Sequence, residues 1–227
     1  MIGIFIELLV SWLLLWIFLR KHLSVLGFMP NKNRIFQFIT GFLIAAICCV
    51  SYHFLSIAFI DNKWKLNNAF TLKDFISGSW WTFKSVLYEE LLFRGALLYI
   101  LIKKLSVQVA CIISAVAFGV YHWFSYNVIG NPFMMFIVFI MTAFAGWIFA
   151  YAFARTMSLY LPVALHFGYN LVNIIIFSNG PLAPQMVIKE NNLQPVGFLS
   201  LALFIFQMVA LPMITLWYLI RFRRVVK

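Results

Sequence analysis

Long, uninterrupted apolar runs are the feature that most constrains the fold of this 227-residue chain. Several of these runs hold about 20 residues, which is the length that an α-helix needs to cross the hydrocarbon core of a membrane. The runs are continuous and do not alternate between apolar and polar residues, so they are not typical of a membrane β-barrel. We therefore expect an all-α fold, namely a polytopic membrane helix bundle.

Composition and charge point in the same direction. Hydrophobic residues make up 64% of the chain and charged residues only 10%, whereas about 25% of the residues in a typical soluble domain are charged. The net charge of +11 would indicate nucleic-acid binding in a soluble protein. Here the basic residues stand mostly at the ends of apolar runs, which is typical of topology determinants and of contacts with anionic lipids. We expect the lipid bilayer as a partner and no nucleic acid.

The apolar runs divide the chain into about seven predicted spans, which form a single transmembrane domain over residues 1–227. The spans cover approximately residues 2–19, 35–60, 80–102, 105–124, 133–154, 159–177 and 196–220. The first run has neither a basic segment before it nor a small-residue cleavage site after it, so we expect a retained helix rather than a signal peptide. Residues 61–78 are expected at the membrane interface and residues 178–195 in a polar loop.

Ionisable residues within the predicted spans are informative because each costs roughly 2.5–3.5 kcal/mol on membrane insertion. The third span contains Glu89, Glu90 and Arg94. At about 100° per residue, Arg94 projects close to Glu90 and away from Glu89, and an acid four residues before a base is the favourable order for an ion pair. We expect Arg94 to neutralise Glu90, which leaves Glu89 without a partner on its own helix. A purely structural ion-pair cluster is the alternative.

Two other spans carry polar residues at helical spacing. These residues are Ser114, Phe118 and His122 in the fourth span, and His166, Asn170 and Asn173 in the sixth. An asparagine is unfavourable against lipid, so a polar stripe of this kind faces protein or a wet cavity. Each residue taken alone has a structural explanation. Taken together with Glu89, they predict a buried polar chamber built from three helices.

Such a chamber supports hydrolysis of an amide bond. Glu89, assisted by His122, can activate a water molecule, and His166 with Asn170 can present N–H donors to the tetrahedral oxyanion. Ser114 lacks an oriented base, and no Cys–His pair gives an equally coherent mechanism. Two histidines and a glutamate can also bind Zn²⁺, but the chain contains no HExxH motif. We expect no metal and no cofactor, and Zn²⁺ is the alternative.

In their order along the chain, these residues resemble the motifs of the CPBP family of intramembrane endopeptidases, which includes the CAAX proteases and the bacteriocin-processing Abi proteins. The EExxxR motif is Glu89-Glu90 with Arg94, the FxxxH motif is Phe118 with His122, and the HxxxN motif is His166 with Asn170. The resemblance extends over about residues 80–173 and predicts a protease core at about residues 80–175.

The resemblance implies a glutamate-dependent protease, of a type formerly regarded as a metalloprotease. Glu89 would be the base that activates water with the help of His122, and His166 and Asn170 would form the oxyanion site. The supporting residues would be Glu90, Arg94 and Phe118. The chain is shorter than the eukaryotic prenyl-protein members of the family.

The resemblance therefore favours an enzyme of a bacterial plasma membrane. Its substrate would be a membrane-associated peptide or protein, and its role would be peptide maturation or self-immunity to a bacteriocin. A non-catalytic membrane scaffold or chaperone is the alternative function.

Overall fold

The computed structural model describes residues 2–60, 63–177, 185–191 and 193–222. These residues form eight α-helices and two short strands, in the order α1 (Ile2–Leu19), α2 (Lys32–Ile60), β1 (Trp64–Leu66), α3 (Leu72–Arg94), α4 (Ala96–Lys104), α5 (Val107–Ser125), α6 (Pro132–Thr156), α7 (Tyr160–Asn170), β2 (Val187–Lys189) and α8 (Gly197–Phe222). A 3₁₀ turn (Leu23–Leu26) follows α1, and a π-helical turn (Leu171–Ile176) continues α7. The prediction of an all-α membrane helix bundle is confirmed.

Within the part of the chain that the structure describes, five helices are long and apolar enough to cross a membrane, namely α1, α2, α5, α6 and α8. They coincide with five of the predicted spans. The remaining two predicted spans correspond to α3 with α4, and to α7 with its π-helical turn. Helix α7 with its π-helical turn is apolar but shorter than the other five, and α3 carries charged residues among its apolar ones. These two helices hold most of the predicted site.

The third predicted span begins earlier than expected, at Leu72 rather than near residue 80. Thr71 forms a capping box with Asp74, in which the Asp74 N–H donates to Thr71 Oγ1 at 3.2 Å and the Thr71 N–H donates to the Asp74 carboxylate at 2.9 Å. These reciprocal bonds satisfy backbone donors that the first helical turn leaves free. Residues 72–78 therefore belong to α3 rather than to the connection before it, and the interfacial location expected for 61–78 stays a prediction.

The same predicted span is also interrupted. The helix breaks at Gly95, and α4 starts at the next residue. A Cβ atom at position 95 would overlap the carbonyl oxygen of Leu91, so only glycine fits at this break. Arg94 is consequently the last residue of α3.

The predicted polar loop 178–195 lies partly outside the described residues, which omit 178–184 and 192. Its described part contains β2, which pairs antiparallel with β1, with Trp64 opposite Lys189. An exposed ion pair of 3.9 Å joins Lys65 to Glu190 beside the strands. The two strands thus connect the end of α2 with the chain that follows α7.

Helix α6 lies at the centre of the packing. Its residue Phe153 belongs to a buried apolar cluster with Leu15 and Leu98, while Ile148 belongs to a second cluster with Leu165. Large apolar side chains on the outer faces of α1 and α2 are exposed, as expected of surfaces in contact with lipid.

Candidate active site

A cavity of about 730 Å³ lies between α3, α5, α6, α7 and α8. The four residues predicted to be catalytic all line this cavity. Glu89 comes from α3, His122 from α5, and His166 and Asn170 from α7. The structure therefore brings together, from three helices, the side chains that the sequence motifs singled out.

Behind the cavity wall, Glu90 and Arg94 form a fully buried ion pair. Arg94 Nη1 donates to Glu90 Oε1 at 3.0 Å, and both side chains are 0% exposed. Arg94 Nη2 donates to the carbonyl oxygen of Gly146 in α6 at 3.2 Å, and the guanidinium carbon lies 4.1 Å from the centre of the Phe118 ring. Arg94 thus pairs with Glu90, and this pair ties α3 to α5 and α6.

The hydrogen bonds of the two histidines determine which ring nitrogen faces the cavity. His122 Nδ1 lies 2.8 Å from the carbonyl oxygen of Phe118, and because a carbonyl oxygen only accepts, this nitrogen carries the proton. His166 Nδ1 lies 2.9 Å from Glu90 Oε1 and donates to this carboxylate oxygen in the same way. In the neutral form of both rings, Nε2 is therefore an acceptor.

Both Nε2 atoms approach the same oxygen of Glu89. Glu89 Oε2 lies 3.8 Å from His122 Nε2 and 3.9 Å from His166 Nε2, which is too long for direct hydrogen bonds. Glu89 Oε2 is shielded from solvent and has no hydrogen-bond partner among the described residues. Glu89 Oε2 and the Nε2 atom of neutral His122 are acceptors, and the separations accommodate one small donor, such as a water molecule, between the three side chains.

The same three side chains have the donor types of a catalytic zinc site, which combines histidine nitrogens with a carboxylate. A tetrahedral Zn²⁺ with bonds of about 2.0–2.2 Å places its ligand atoms about 3.4 Å apart. The separations from Glu89 to the two histidines are 3.8 and 3.9 Å. Over residues 2–60, 63–177, 185–191 and 193–222, no group of three or more His, Cys, Asp or Glu has the arrangement of a metal site. The spacing does not fit a tetrahedral zinc.

The remaining residues singled out from the sequence have identifiable contacts. The ring of Phe118 packs against His122, with 4.4 Å between ring centres. Ser114 donates to a backbone carbonyl of α3 at 3.0 Å and is not among the residues that line the cavity. Asn173 lines the cavity, and its Oδ1 lies 3.2 Å from Nε2 of His53.

Other cavity residues lie outside the motifs and were not anticipated. The rings of Tyr121 and Tyr126 lie 5.4 and 5.7 Å from that of His122. From α8, Gln207 and Pro212 line the opposite part of the wall. These two residues interrupt an otherwise apolar run, which is the sequence signal that could have identified them.

Fold and site together define a class of protein, namely a multi-pass membrane protein with an internal cavity lined by a glutamate, two histidines and an asparagine. Residues 74–172 match the model of the family described as "Type II CAAX prenyl endopeptidase Rce1-like". This match confirms the CPBP and CAAX protease family for the segment that carries the three motifs, and the family indicates a CAAX-type intramembrane protease in general. No curated protein and no solved structure shows a significant match to the chain.

Proposed function

We propose that this protein is an intramembrane endopeptidase in which Glu89 activates a water molecule that hydrolyses a peptide bond of a membrane-associated peptide or protein. The observation that supports the proposal is the convergence of Glu89 Oε2 and the two histidine Nε2 atoms at separations of 3.8 and 3.9 Å. Glu89 Oε2 and His122 Nε2 can accept the two hydrogens of one molecule placed between them, and water is both the donor and the reactant that hydrolysis requires.

In this mechanism Glu89 accepts a proton from the water while the water oxygen adds to the carbonyl carbon of the substrate. His122 Nε2 accepts a hydrogen bond from the second O–H group of the water, which keeps its proton. This bond orients the oxygen lone pair towards the carbonyl carbon. Glu89 then passes its proton to the nitrogen of the leaving amine as the C–N bond breaks. One water is consumed, a carboxylic acid and an amine are formed, and Glu89 returns to the carboxylate.

Asn170 and His166 stabilise the oxyanion that forms on the substrate. The side-chain amide of Asn170 is a donor in any state. His166 donates through Nε2 only as an imidazolium, because its Nδ1–H is already bonded to Glu90 at 2.9 Å. Glu90 and Arg94 therefore support the site without contacting the substrate.

We further propose a bacterial plasma membrane as the location and a membrane-associated peptide as the substrate, with peptide maturation or bacteriocin self-immunity as the role. The motif resemblance to bacteriocin-processing members supports this role. Neither a cofactor nor a metal is needed in the proposed mechanism. The matched family name mentions prenyl substrates, so prenylated peptides belong in the test.

The experiment compares wild type with Glu89→Gln in lipid nanodiscs, using a tagged peptide library that contains prenylated and unprenylated members. The matched control is Glu190→Gln, since Glu190 is an exposed residue paired with Lys65 at 3.9 Å. We expect wild type and Glu190→Gln to cleave the same peptides, and Glu89→Gln to lose about 10²–10⁴-fold in rate. Equal cleavage by Glu89→Gln would refute the proposal. No cleavage by any variant, together with retained peptide binding, would favour the scaffold alternative.

A further inference from the structure

One wall of the cavity comes from a helix that lies outside the family match at 74–172. On α8, Gln207, Met208, Leu211 and Pro212 all line the cavity that contains Glu89. Their spacing of one, four and five residues places them on one face of the helix. This face is a feature of the chain that the three motifs do not account for.

Pro212 alters the backbone hydrogen bonding on this face. In a regular helix the N–H of residue 212 would donate to the carbonyl oxygen of residue 208. Proline has no N–H, and its ring crowds that carbonyl, so the Met208 oxygen is released from the helical pattern. A carbonyl released inside a membrane needs another donor, and Met208 and Pro212 both line the cavity.

Gln207 adds a side chain with both a donor and an acceptor to the same face. Its carboxamide lies close enough to the hydroxyl group of Tyr169 in α7 to interact with it. A carboxamide can form several hydrogen bonds, so this one contact leaves part of Gln207 for another partner. The Gln207 carboxamide offers a donor and an acceptor, and the Met208 carbonyl offers a second acceptor. These are the same kinds of hydrogen-bonding group that a neighbouring peptide main chain would offer.

An extended peptide main chain complements this pattern. A substrate that is unwound for cleavage exposes N–H and C=O groups, and these groups need partners when water is scarce. Apart from the histidines, Glu89 is the one acidic or basic side chain among the described residues that line the cavity. Away from Glu89 and the histidines, the wall of the cavity consequently offers a substrate hydrogen bonds and apolar contact rather than ion pairs.

We propose that the Gln207 carboxamide and the Met208 carbonyl released by Pro212 form a subsite, on the α8 wall of the cavity, that binds the main chain of the substrate. This inference rests on the proposed function, because it places a substrate in the same cavity. It assigns the binding of the substrate main chain to α8. Helix α8 would then help to determine which peptide segments the enzyme accepts as substrates.

The first test is photocrosslinking in the Glu89→Gln background, with a biotinylated pool of uncharged peptides in nanodiscs. p-Benzoylphenylalanine replaces Leu211 on the cavity face of α8, Thr142 on the α6 wall of the cavity, or Ile214, which is 42% exposed on α8. We expect labelling from positions 211 and 142 and none from 214. Labelling from 142 alone would overturn this inference and leave the proposed function standing. Labelling from neither cavity position would overturn both.

The second test separates main-chain binding from a merely structural role of Pro212. Peptides that the wild type cleaves are remade with a single ester in place of each amide in turn, which removes one N–H at a time. For the wild type, the ester at the position whose N–H would donate to the Met208 carbonyl should raise KM about 3- to 10-fold. Its kcat should change little, as expected for one lost hydrogen bond. Pro212→Ala restores the N–H of residue 212, which can donate to the Met208 carbonyl, so the rise in KM with the ester peptide should disappear. Pro195→Ala is the matched control and should keep that rise.

Gln207→Leu provides a second variant that leaves the helix backbone unchanged. It should raise KM about 3- to 10-fold for all peptides, with little change in kcat. An identical ester profile in wild type and Pro212→Ala, together with an unchanged KM in Gln207→Leu, would overturn the proposal.

Discussion

Glu90 and His166, which are 76 positions apart in the chain, are joined by a 2.9 Å hydrogen bond between Glu90 Oε1 and His166 Nδ1. The same carboxylate oxygen accepts a hydrogen bond from Arg94 at 3.0 Å. The buried ion pair is therefore connected to the cavity through His166. Of the two adjacent acids, Glu89 faces the cavity and Glu90 holds a residue that lines it.

Replacing Glu90 by glutamine should reduce both stability and activity. Arg94 would become a buried cation without its counter-ion, which costs about 3–5 kcal/mol of the free energy of unfolding, and His166 would lose its charged acceptor. Denaturation in mixed detergent micelles measures the first effect, and peptide cleavage measures the second.

The double variant Glu90→Gln/Arg94→Met should recover much of this stability, because the uncompensated charge is gone. It should not recover cleavage. Full cleavage by the double variant would show that His166 does not depend on Glu90.

Gly146 should be intolerant of even a methyl group. A Cβ atom there would lie 2.9 Å from Phe118 Cδ1 and 3.2 Å from Arg94 Nη2, and overpacking of this kind costs about 1–3 kcal/mol. We expect Gly146→Ala to lower the free energy of unfolding by this amount. Gly3→Ala is the matched control, since its Cβ would lie at an ordinary 3.4 Å from Tyr88. Equal stability of the two variants would contradict the packing around Arg94.

Variants of His122 and His53 should separate an effect on catalysis from an effect on stability. His53 lies outside the motifs, bonds to Asn173 at 3.2 Å and stacks on Phe177 at 4.4 Å between ring centres. His53→Gln should cost about 1 kcal/mol of stability, as for one hydrogen bond, and leave the cleavage rate within a factor of about three. His122→Gln should also cost about 1 kcal/mol of stability, because its 2.8 Å hydrogen bond to Phe118 is lost, but it should lower the cleavage rate about 100-fold. The reverse pattern would remove His122 from the proposed mechanism.

A strong chelator should leave cleavage unchanged. This expectation follows from the 3.8 and 3.9 Å separations between Glu89 and the two histidines, which exceed those of tetrahedral zinc ligands at about 3.4 Å. The assay compares the rates before chelation, after it, and after addition of Zn²⁺. Activity that disappears on chelation and returns with Zn²⁺ would establish the metal mechanism instead.

Local spacing was enough to predict which site residues share a helix face. The four-residue steps from Glu90 to Arg94 and from Phe118 to His122 both correspond to direct contacts, because 3.6 residues per turn brings such residues together in any α-helix. The start of α3 was missed although Thr71 and Asp74 have capping-box spacing. The break at Gly95 involves a close approach to the carbonyl oxygen of Leu91 in the preceding turn. The spacing of apolar residues gives no information about such an approach.

The sequence by itself determined the class of fold, the helices that hold polar residues, and the direction of each polar side chain around its own helix axis. Only the tertiary structure decided that Glu89 meets His122 and His166 around one point, that Arg94 reaches Gly146, and that α8 completes the cavity. The reason is that helical periodicity depends on local backbone geometry, whereas the rotation, tilt and neighbours of each helix depend on side-chain packing between segments far apart in the chain.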